Sequence, residues 1–433
     1  MKFVSTRGAS PAVSVSEALE RGLAPDGGLF VPEDFPYIDL RMLDGRTTLA
    51  EIGEVLLHPF FAEDSRLSEA LSEICRISFS FPTPLVSVPG RPGDFILELF
   101  HGPTSAFKDV AARFLANVLT HGPGVKGTVV VATSGDTGGA VAAAFAGKPG
   151  IEVVILYPDG KVSARQEAQL CGWGGNVRAF AVDGTFDDCQ RVVKEVLLTR
   201  DGNRNWLSAN SINLGRVLPQ MVYYAQVSLA RKRAGATHDA GFIIPTGNLG
   251  NALAALWAKK IGMPIGPIVL ALNANRGLVD YLANGSFAPN ATIPTLANAM
   301  DVGNPSNLER LRGLAPDVSF LRKEVRAESV GDAEIRAEIR GSEAEWGQAL
   351  CPHTATAAVA RKRLGTGSDA EWILVATAHP AKFEAIVEPL IGHTLPIPSA
   401  LAEILRRPAV KTAIPATLSA LLAELSSETD RRY

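Results

Sequence analysis

Short, continuous runs of apolar residues alternate with helical segments over most of this chain. Runs at residues 128–132, 151–157 and 372–376 are apolar almost throughout and show no alternation of polar with apolar positions. Strands that are apolar on both faces are buried on both faces, as in parallel sheets covered by helices. The alternation occurs in two series, one starting near residue 128 and one near residue 241. The sequence therefore predicts an α/β protein with two parallel-sheet lobes.

The length of the chain and a change of pattern near residue 95 predict several domains. A chain of 433 residues exceeds the size, roughly 250–300 residues, at which one hydrophobic core stops growing. Before residue 95 the pattern is irregular, with turn residues and two helical stretches. We predict an N-terminal domain at residues 1–95, a first α/β lobe at 96–205, a second α/β lobe at 206–396 and a C-terminal tail at 397–433.

Charge and cysteine content indicate the cellular compartment of the protein and exclude some classes of partner. The formal net charge of -3 predicts no nucleic-acid surface and no anionic-membrane surface. The four cysteines form no Cys-x-x-Cys pair, so neither a disulfide framework nor a metal site is predicted. The N-terminus lacks the apolar segment of a secretory signal, and no apolar run approaches membrane-spanning length. We expect a cytoplasmic protein.

Lys108 stands in the first turn of a predicted helix, after His101-Gly-Pro-Thr-Ser-Ala-Phe107. The Gly-Pro pair cannot continue regular structure, Thr104 and Ser105 are suitable N-cap residues, and apolar residues recur at helical spacing from Phe107. The positive end of the helix dipole and partial burial both disfavour the ammonium form of a lysine there. Lys108 is therefore either a solvated surface residue or an amine able to form a Schiff base with a carbonyl, and the other segments must decide. His101 stays unassigned, as a turn-stabilising residue.

A glycine-rich loop, Ala132-Thr-Ser-Gly-Asp-Thr-Gly-Gly139, directly follows the predicted strand at 128–132. Ligands bind at such strand-loop-helix junctions in parallel sheets. Free N–H groups at the start of the helix, with the hydroxyls of Ser134 and Thr137, would form a neutral cradle for a carboxylate. We predict a carboxylate site at residues 134–137, with Gly135 allowing the close approach.

Two further strand-loop-helix junctions offer binding groups of other kinds. Pro245-Thr-Gly-Asn-Leu-Gly-Asn251 places consecutive N–H groups at a helix start, without the lysine of a nucleotide P-loop, and predicts a site for a compact phosphate. Thr377 ends a buried strand and offers a neutral hydroxyl to a ring nitrogen, whereas His379 is either a capping or a packing residue. A Schiff-base lysine, a phosphate cradle and a neutral ring-nitrogen partner are together what pyridoxal 5'-phosphate (PLP) requires.

The chain resembles the threonine synthase family, in its longer fungal and proteobacterial form. The resemblance covers nearly the whole sequence, in the family's order. It is carried by Ser5-Thr-Arg-Gly8, Gly22-Leu-Ala-Pro-Asp-Gly-Gly-Leu-Phe-Val-Pro32, His101-Gly-Pro-Thr104 with Phe107-Lys-Asp109, Ala132-Thr-Ser-Gly-Asp-Thr-Gly138, Ala209-Asn-Ser-Ile-Asn213 with Arg216, Asn298-Ala-Met-Asp-Val302, Pro352-His-Thr-Ala355 and Thr377-Ala-His-Pro-Ala-Lys-Phe383.

This resemblance implies a fold-type II PLP enzyme, an α/β protein with an additional N-terminal domain and the cofactor between two lobes. Lys108 then carries the cofactor, Thr377 contacts the ring nitrogen and Phe107 packs beside the ring. The phosphate loop falls on Gly247, Asn248, Leu249, Gly250 and Asn251. Two departures are visible: the family often has aspartate at the position of Asn251, and an acidic residue at that of Cys351.

The implied reaction converts O-phospho-L-homoserine and water to L-threonine and phosphate by γ-elimination and β-addition of water. The substrate's phosphate needs a second anion site with cationic groups, which the cofactor loop lacks. The nominated residues are Arg113, Lys161 and Arg216, with Ser211 and Asn213 as supporting donors. Ser134 and Thr137 would hold the substrate's carboxylate, and Asp136 would orient its ammonium group or a neighbouring loop.

Two other kinds of function stay open at this point. A related fold-type II phospholyase, or a threonine or serine dehydratase, would share the cofactor site, although a dehydratase needs no second phosphate site. A catalytically silent PLP-binding regulatory protein is the other alternative, and the presence of Lys108 argues against it. We expect a monomer or homodimer that acts on a small molecule.

Overall fold

The computed structural model describes residues 1–122, 124–199, 204–315, 317–365 and 370–427. The N-terminal segment contains a small antiparallel sheet, a short helix and two longer helices that pack against each other. Its elements are β1 (Phe3–Ser5), α1 (Val15–Arg21), β2 (Phe30–Pro32), α2 (Leu49–Phe61), α3 (Ser65–Ser78) and β3 (Leu85–Ser87). β1 pairs with β2, and a capping box formed by Thr48 and Glu51 begins α2.

The next part of the chain alternates strands with helices. Its elements are β4 (Asp94–Glu98), α4 (Lys108–Thr120), β5 (Gly127–Ala132), α5 (Asp136–Phe145), β6 (Ile151–Pro158), α6 (Ala164–Cys171), β7 (Val177–Asp183), α7 (Phe186–Leu198) and β8 (Trp206–Ser208). β6 and β7 are buried along nearly their whole length, in agreement with the apolar runs of the sequence.

The alternation resumes after two short 3-10 turns, Leu214–Arg216 and Leu218–Gln220. The remaining elements are α8 (Met221–Arg233), β9 (Gly241–Pro245), α9 (Gly250–Lys260), β10 (Ile268–Leu272), α10 (Gly277–Asn284), α11 (Leu308–Gly313), α12 (Val318–Glu324), β11 (Val325–Ser329), α13 (Asp332–Trp346), α14 (Pro352–Arg363), β12 (Trp372–Ala376), α15 (Glu384–Ile391), α16 (Ser399–Leu405), β13 (Thr412–Pro415) and α17 (Leu418–Ser427).

In the described part of the chain, two larger sheets form the two lobes. One has the strand order β13-β7-β6-β5-β8, and all its neighbouring strands are parallel. The other has the order β11-β10-β9-β12-β4-β3, and its strands are parallel except at the edge pair β3–β4. Two α/β lobes with an N-terminal segment, as expected from the sequence, are confirmed.

The strand pairing differs from the predicted domain boundaries at three places. β4, expected to open the first lobe at residue 96, pairs with β12 in the second lobe. β8, expected to begin the second lobe at 206, pairs with β5 in the first. The predicted tail also returns, since β13 extends the first sheet beside β7; residues 428–433 lie outside the described residues. Sequence pattern identifies a strand but not its neighbour, so these crossings between lobes were missed.

The helix that carries Lys108 is held firmly against the N-terminal segment. Phe114 is fully buried in α4 and contacts Phe61 and Phe79, with ring centroids 5.8 Å apart in both cases. α4 also contacts α3 and α5. Aromatic contacts of this kind stabilise a core beyond their buried area. The start of α4 is therefore a fixed position in the fold.

We expect the returning C-terminal segment to contribute strongly to stability. Leu421 on α17 is fully buried in the core cluster that includes Val130 and Val192. Leu421→Ala should lower the free energy of unfolding by about 2–5 kcal/mol, because it removes buried methyl groups and leaves a cavity. Urea unfolding followed by tryptophan fluorescence measures this. Leu198→Ala is the matched control, since Leu198 is 73% exposed, and an equal loss in both variants would contradict the prediction.

Two observations bear on the expected environment. Among the described residues, the helices are too short or too polar for any of them to cross a membrane. Cys75, Cys171, Cys189 and Cys351 are all buried free thiols.

Candidate active site

A pocket lies between the two lobes, where the loops after β5, β9 and β12 meet the start of α4. Most of the residues predicted for the cofactor and the substrate line this single pocket. They are Phe107, Lys108, Ser134, Asp136, Thr137, Ser211, Arg216, Gly247, Asn248, Leu249, Gly250, Asn251 and Thr377. Loops far apart in the sequence are thus brought together at the carboxyl ends of parallel strands, where ligands bind in such folds.

Lys108 is the first residue of α4, but the helix start differs from the prediction. Thr104 and Ser105 do not cap it; instead the backbone N–H and the hydroxyl of Thr104 donate to the carboxylate of Asp109, at 2.8 and 2.7 Å. Ser105 has a positive φ of 55°, so the backbone turns at this residue, shortly before the helix begins. The N–H of Phe107 donates to the carbonyl of Thr377 at 2.8 Å, so the backbone before Lys108 is tied to the end of β12.

The surroundings of Lys108 lower its pKa. Burial is the largest cause; the carboxylate of Asp136 acts in the opposite direction, and the cations Lys382 and Arg216 act with burial. The Nζ of Lys108 lies 3.7 Å from Oδ2 of Asp136 and 5.2 Å from the centre of the Phe107 ring. A lysine whose charged form is disfavoured offers a free electron pair at lower pH than an exposed one, as the sequence predicted.

Asp136 begins α5 and is almost completely buried. Burial alone would raise the pKa of its carboxyl, but attraction by Lys382 and then Lys108 outweighs this and holds that pKa well below its usual range. Oδ1 accepts from Nζ of Lys382 at 2.8 Å and from Nε2 of Gln166 at 3.1 Å. Asp136 is therefore an internal anion with cationic and amide partners of its own.

Sequence reasoning missed Lys382 and His353. Lys382 belongs to the motif at residues 377–383, but no role was predicted for it. Its side chain is completely buried. His353 lines the pocket, and its Nε2 accepts the N–H of Ala299 at 3.2 Å. Burial lowers the pKa of His353 to about 4, so it is neutral at pH 7. Neither position has a local signal, since a lysine after Pro-Ala and a histidine after proline are usually surface or capping residues.

The loop at residues 245–251 presents polar groups to the pocket in a fixed arrangement. Nδ2 of Asn248 donates to Oγ of Ser211 at 2.6 Å, and Oδ1 of Asn248 accepts from the N–H of Ser306 at 2.6 Å. Leu249 has φ +65°, an uncommon conformation for a branched residue, and α9 begins at the next residue. Such strain at a pocket is typical of a site in which the backbone faces a ligand.

Asn251, the second residue of α9, has hydrogen-bond partners for only one half of its side-chain amide. Its Oδ1 accepts from the hydroxyls of Tyr223 and Tyr224, at 2.6 and 2.7 Å. Among the described residues, its buried Nδ2 has no hydrogen-bond partner. A buried donor without a partner is costly, so this side of the loop is arranged for an acceptor. The amide thus offers an N–H that the aspartate often found at this position in the family would not.

Arg216 lines the pocket as a second cationic residue beside Lys108. It is 4% exposed, and Nη1 donates to the carbonyl of Ala209 at 2.5 Å. Its Nε has no hydrogen-bond partner, and Arg216 forms no ion pair within the described part of the chain. Burial lowers the pKa of Arg216 to about 10, so the side chain is still charged at pH 7. An unpaired buried guanidinium in a pocket is well placed to meet an anion.

Three residues nominated for the substrate's phosphate are not brought to the pocket. Arg113 donates to the carbonyls of Ile77 and Ser78 at the end of α3, at 2.5 and 3.1 Å. It stands five residues after Lys108, which at 3.6 residues per turn places it about 140° around the helix from Lys108 rather than one turn above it.

The other two have roles elsewhere. Lys161 is exposed after β6, and Asn213 uses its amide to bind the carbonyls of Leu19 and Ser208, at 2.7 and 2.9 Å. The N–H of Gly135 is also taken, by the hydroxyl of Thr133 at 2.9 Å, so Gly135 contributes shape rather than a donor. A Cβ at that position would lie 2.6 Å from the side chain of Gln166.

The residues left unassigned from the sequence have local roles. Nδ1 of His379 accepts the N–H of Ala381 at 3.2 Å, so the capping alternative is confirmed, and Nε2 of His101 contacts Oε2 of Glu98 at 2.7 Å. Cys351 caps α14, its sulfur accepting the N–H of Thr354 at 3.5 Å. The thiol thus takes the capping position where the family often has an acidic residue.

Comparisons with known proteins agree along the whole chain. Three family descriptions match: "Threonine synthase N terminus" at residues 2–79, "Pyridoxal-phosphate dependent enzyme" at 79–377 and "Threonine synthase, C-terminal" at 354–423. The threonine synthase of Escherichia coli (strain K12) is 38% identical over 426 residues, covering 97% of this chain and 98% of that protein.

Solved structures give the same result. The PLP-bound threonine synthase from Brucella melitensis matches with a TM-score of 0.88 and 33% identity over 99% of each chain. The threonine synthase from yeast matches with a TM-score of 0.90 and 30% identity, again over 99% of each chain. Because the similarity runs from end to end in both sequence and fold, the chain belongs to the threonine synthase family of PLP-dependent enzymes.

Proposed function

We propose that the pocket between the lobes is the site at which this PLP-dependent lyase converts O-phospho-L-homoserine and water to L-threonine and phosphate. The observation that carries the proposal is the position of Lys108, a largely buried lysine, 15% exposed and of lowered pKa, that shares one pocket with the loop at residues 247–251. Lys108 faces the end of β12 with Thr377, and Arg216 offers a second cationic position.

The residues present fit PLP. The unpartnered Nδ2 of Asn251 and the free start of α9 suit a phosphate group, which needs several donors. Gly247 has no room for a side chain, since a Cβ would lie 2.7 Å from Cα of Met300, so the backbone itself faces the ligand. Thr377 is 5% exposed and provides a neutral group for the ring nitrogen, and Lys108 provides the amine for the aldehyde.

When bound, PLP supplies an electron-withdrawing ring that stabilises negative charge on an attached amino acid. The chain's own residues position the substrate and move protons. Lys108, as a neutral amine, takes a proton from the substrate's Cα and transfers protons at Cβ. The hydroxyls of Ser134 and Thr137 hold the substrate's carboxylate, and Arg216 with Ser211 holds the phosphate that leaves from Cγ.

The direct test is to supply O-phospho-L-homoserine to the purified protein with PLP and to measure threonine and phosphate in the same sample. The proposed reaction yields one threonine for each phosphate released. Phosphate accompanied by a keto acid would instead assign the chain to the phospholyases. Binding of PLP without either product would support the silent regulatory alternative.

We expect Gly247→Ala to weaken PLP binding at least tenfold, because the new methyl group would displace either the loop or the backbone of Met300. The absorbance of the bound cofactor, titrated with PLP, gives the dissociation constant. Gly313→Ala is the control, at a glycine outside the pocket. Gly313 is the last residue of α11, and a Cβ there meets nothing within 4 Å, so affinity should be kept. Equal effects at both positions would contradict this assignment.

We infer a cytoplasmic location and a monomeric or homodimeric enzyme. Four buried free thiols suit a reducing compartment. Size-exclusion chromatography with light scattering determines the oligomeric state.

A further inference from the structure

Lys382 is a buried lysine that the roles proposed above leave without a task. Its side chain is 0% exposed, and its Nζ donates to Oδ1 of Asp136 and to the carbonyl of Thr104, both at 2.8 Å. The other oxygen of Asp136 faces Lys108 at 3.7 Å. We propose that Lys382 is a positioning residue that engages Asp136 and thereby leaves Lys108 as the neutral amine of the active site.

The inference follows from two lysines sharing one buried carboxylate. Two buried ammonium groups beside a single anion leave one charge uncompensated, and such a charge is costly in an interior. The ammonium group that contacts the carboxylate more closely and has a second acceptor takes up most of the anion's charge. Lys382 has both advantages, whereas Lys108 has one contact at 3.7 Å. Lys108 is therefore the lysine that gives up its proton.

The backbone around Lys382 keeps this preference fixed. Lys382 belongs to the 3-10 turn Pro380–Phe383 of the second lobe, whereas Asp136 belongs to the first. The hydroxyl of Ser163 donates to the carbonyl of Lys382 at 3.0 Å, and Nη1 of Arg165 donates to that of Ala381. These bonds from α6 hold the turn against the first lobe, so the Lys382 ammonium cannot withdraw without breaking contacts between the lobes.

The remaining groups around the two lysines do not change this assignment. Asp109 on α4 is bound by Thr104, His353 on α14 is neutral at pH 7, and Gln166 on α6 is uncharged. Arg216, in the 3-10 turn Leu214–Arg216, adds a second cation that disfavours the charged form of Lys108. Removing Lys382 thus leaves Asp136 with Lys108 as its close cationic neighbour.

The first test uses Lys382→Met, which removes the charge and keeps most of the side-chain length. PLP is titrated into the protein between pH 6 and 10, and the visible absorbance of the lysine-bound cofactor gives the pH midpoint of attachment. We expect the midpoint to rise by one pH unit or more, which corresponds to at least tenfold weaker attachment at pH 7. An unchanged midpoint in the folded variant would overturn the proposal.

The matched control is Lys362→Met. Lys362 also forms ion pairs with carboxylates, Glu338 and Glu345, but it lies outside the pocket and is 34% exposed. Its removal should leave the midpoint unchanged. If it raised the midpoint as much as Lys382→Met did, the effect would reflect a general loss of lysine pairs, and the proposal would fail.

A second pair of variants decides the question even if Lys382→Met does not fold. Asp136→Asn removes the anion that holds a proton on Lys108, so the midpoint should fall below that of the wild type. Adding Lys382→Met to Asp136→Asn removes the neighbouring cation without leaving a buried carboxylate unpaired. Because Lys382 is proposed to act through Asp136, the double variant should have about the same midpoint as Asp136→Asn alone. A midpoint higher by one pH unit or more would show that the charge of Lys382 acts on Lys108 directly and not through Asp136, and it would overturn the proposal.

This inference rests on the proposed role of Lys108, and the two can fail separately. Lys108→Ala tests the attachment itself, since the lysine-bound band should disappear. If that band persisted, the proposed function would fail regardless of Lys382. If the band disappeared but the midpoints above did not move, only the role of Lys382 would be lost.

Discussion

Lys108→Ala will abolish the visible absorption band of the lysine-bound cofactor and lower the rate of threonine formation by at least about 10⁴-fold, a barrier increase of about 5.4 kcal/mol. The reason is that Lys108 has two tasks: it attaches the cofactor, and it moves protons on the substrate. Its pKa is lowered chiefly by burial, which prepares both tasks. Absorbance spectra and an assay that quantifies threonine and phosphate together measure the two losses.

Lys382 will not replace Lys108 in this variant. Its Nζ is already committed to Asp136 and to the carbonyl of Thr104, both at 2.8 Å. Borohydride reduction in the presence of PLP, followed by peptide mass spectrometry, should find the label on Lys108 in the wild type and no specific label in the variant. Label on Lys382 in the wild type would remove Lys108 from its role.

The control is Lys148→Ala. Lys148 is a half-buried lysine outside the pocket whose Nζ donates to Oδ1 of Asn117 at 2.8 Å. Its loss should leave the spectrum and the turnover unchanged. A comparable loss of activity in both variants would indicate general damage rather than a specific task for Lys108.

The parts of the fold that depend on local sequence were predicted correctly, and the site residues nominated from local sequence mostly line one pocket. Apolar runs gave the strands of both lobes, and the loops at 132–139 and 245–251 were placed where ligands bind because each follows a buried strand. The pocket then unites Lys108, Ser134, Asn251 and Thr377. Each could be found because its residue type and its position at a strand or helix end carry a chemical meaning on their own.

The parts that depend on long-range contacts were not predictable in the same way. Nothing in the sequence near β4 indicates that this strand pairs with β12. The two strands are far apart in the chain, since Asp94 pairs with Trp372, 278 residues later. The partners of Lys382 lie on α5 and in the turn before α4, so its burial follows only from the packing of the lobes. Arg113 does not reach the pocket for a geometric reason. The five residues that separate it from Lys108 do not complete a whole number of helical turns.

Arg216 is the other residue whose loss we expect to be severe. Arg216→Met should lower kcat/KM for O-phospho-L-homoserine by about 100-fold or more, roughly 3 kcal/mol, mainly through KM. The variant removes a buried guanidinium that forms no ion pair within the described residues and has an unpartnered Nε. Charge-assisted bonds to a dianionic phosphate in a dry pocket are strong, so the substrate should lose most of its binding energy there.

Arg113→Met is the matched control, because both arginines were nominated for the same phosphate. Arg113 binds the carbonyls of Ile77 and Ser78 and should affect stability rather than KM. PLP affinity, measured by absorbance, should fall much less than kcat/KM in Arg216→Met, because Arg216 affects the cofactor only through the pKa of Lys108. A loss of cofactor affinity equal to the loss in kcat/KM would move Arg216 to the cofactor's phosphate and leave the substrate's phosphate without an assigned cation.

The pH dependence separates the two actions of Arg216. Its charge also helps to lower the pKa of Lys108, so removing it raises that pKa and weakens cofactor attachment near pH 7. That part of the defect becomes smaller as the pH rises to 9, because Lys108 is deprotonated to a larger extent in both proteins. The loss of substrate binding persists at pH 9, since the phosphate remains a dianion and still lacks its partner. A defect in kcat/KM that vanished at pH 9 would therefore show that Arg216 acts only through Lys108, whereas a persistent one assigns it to the substrate's phosphate.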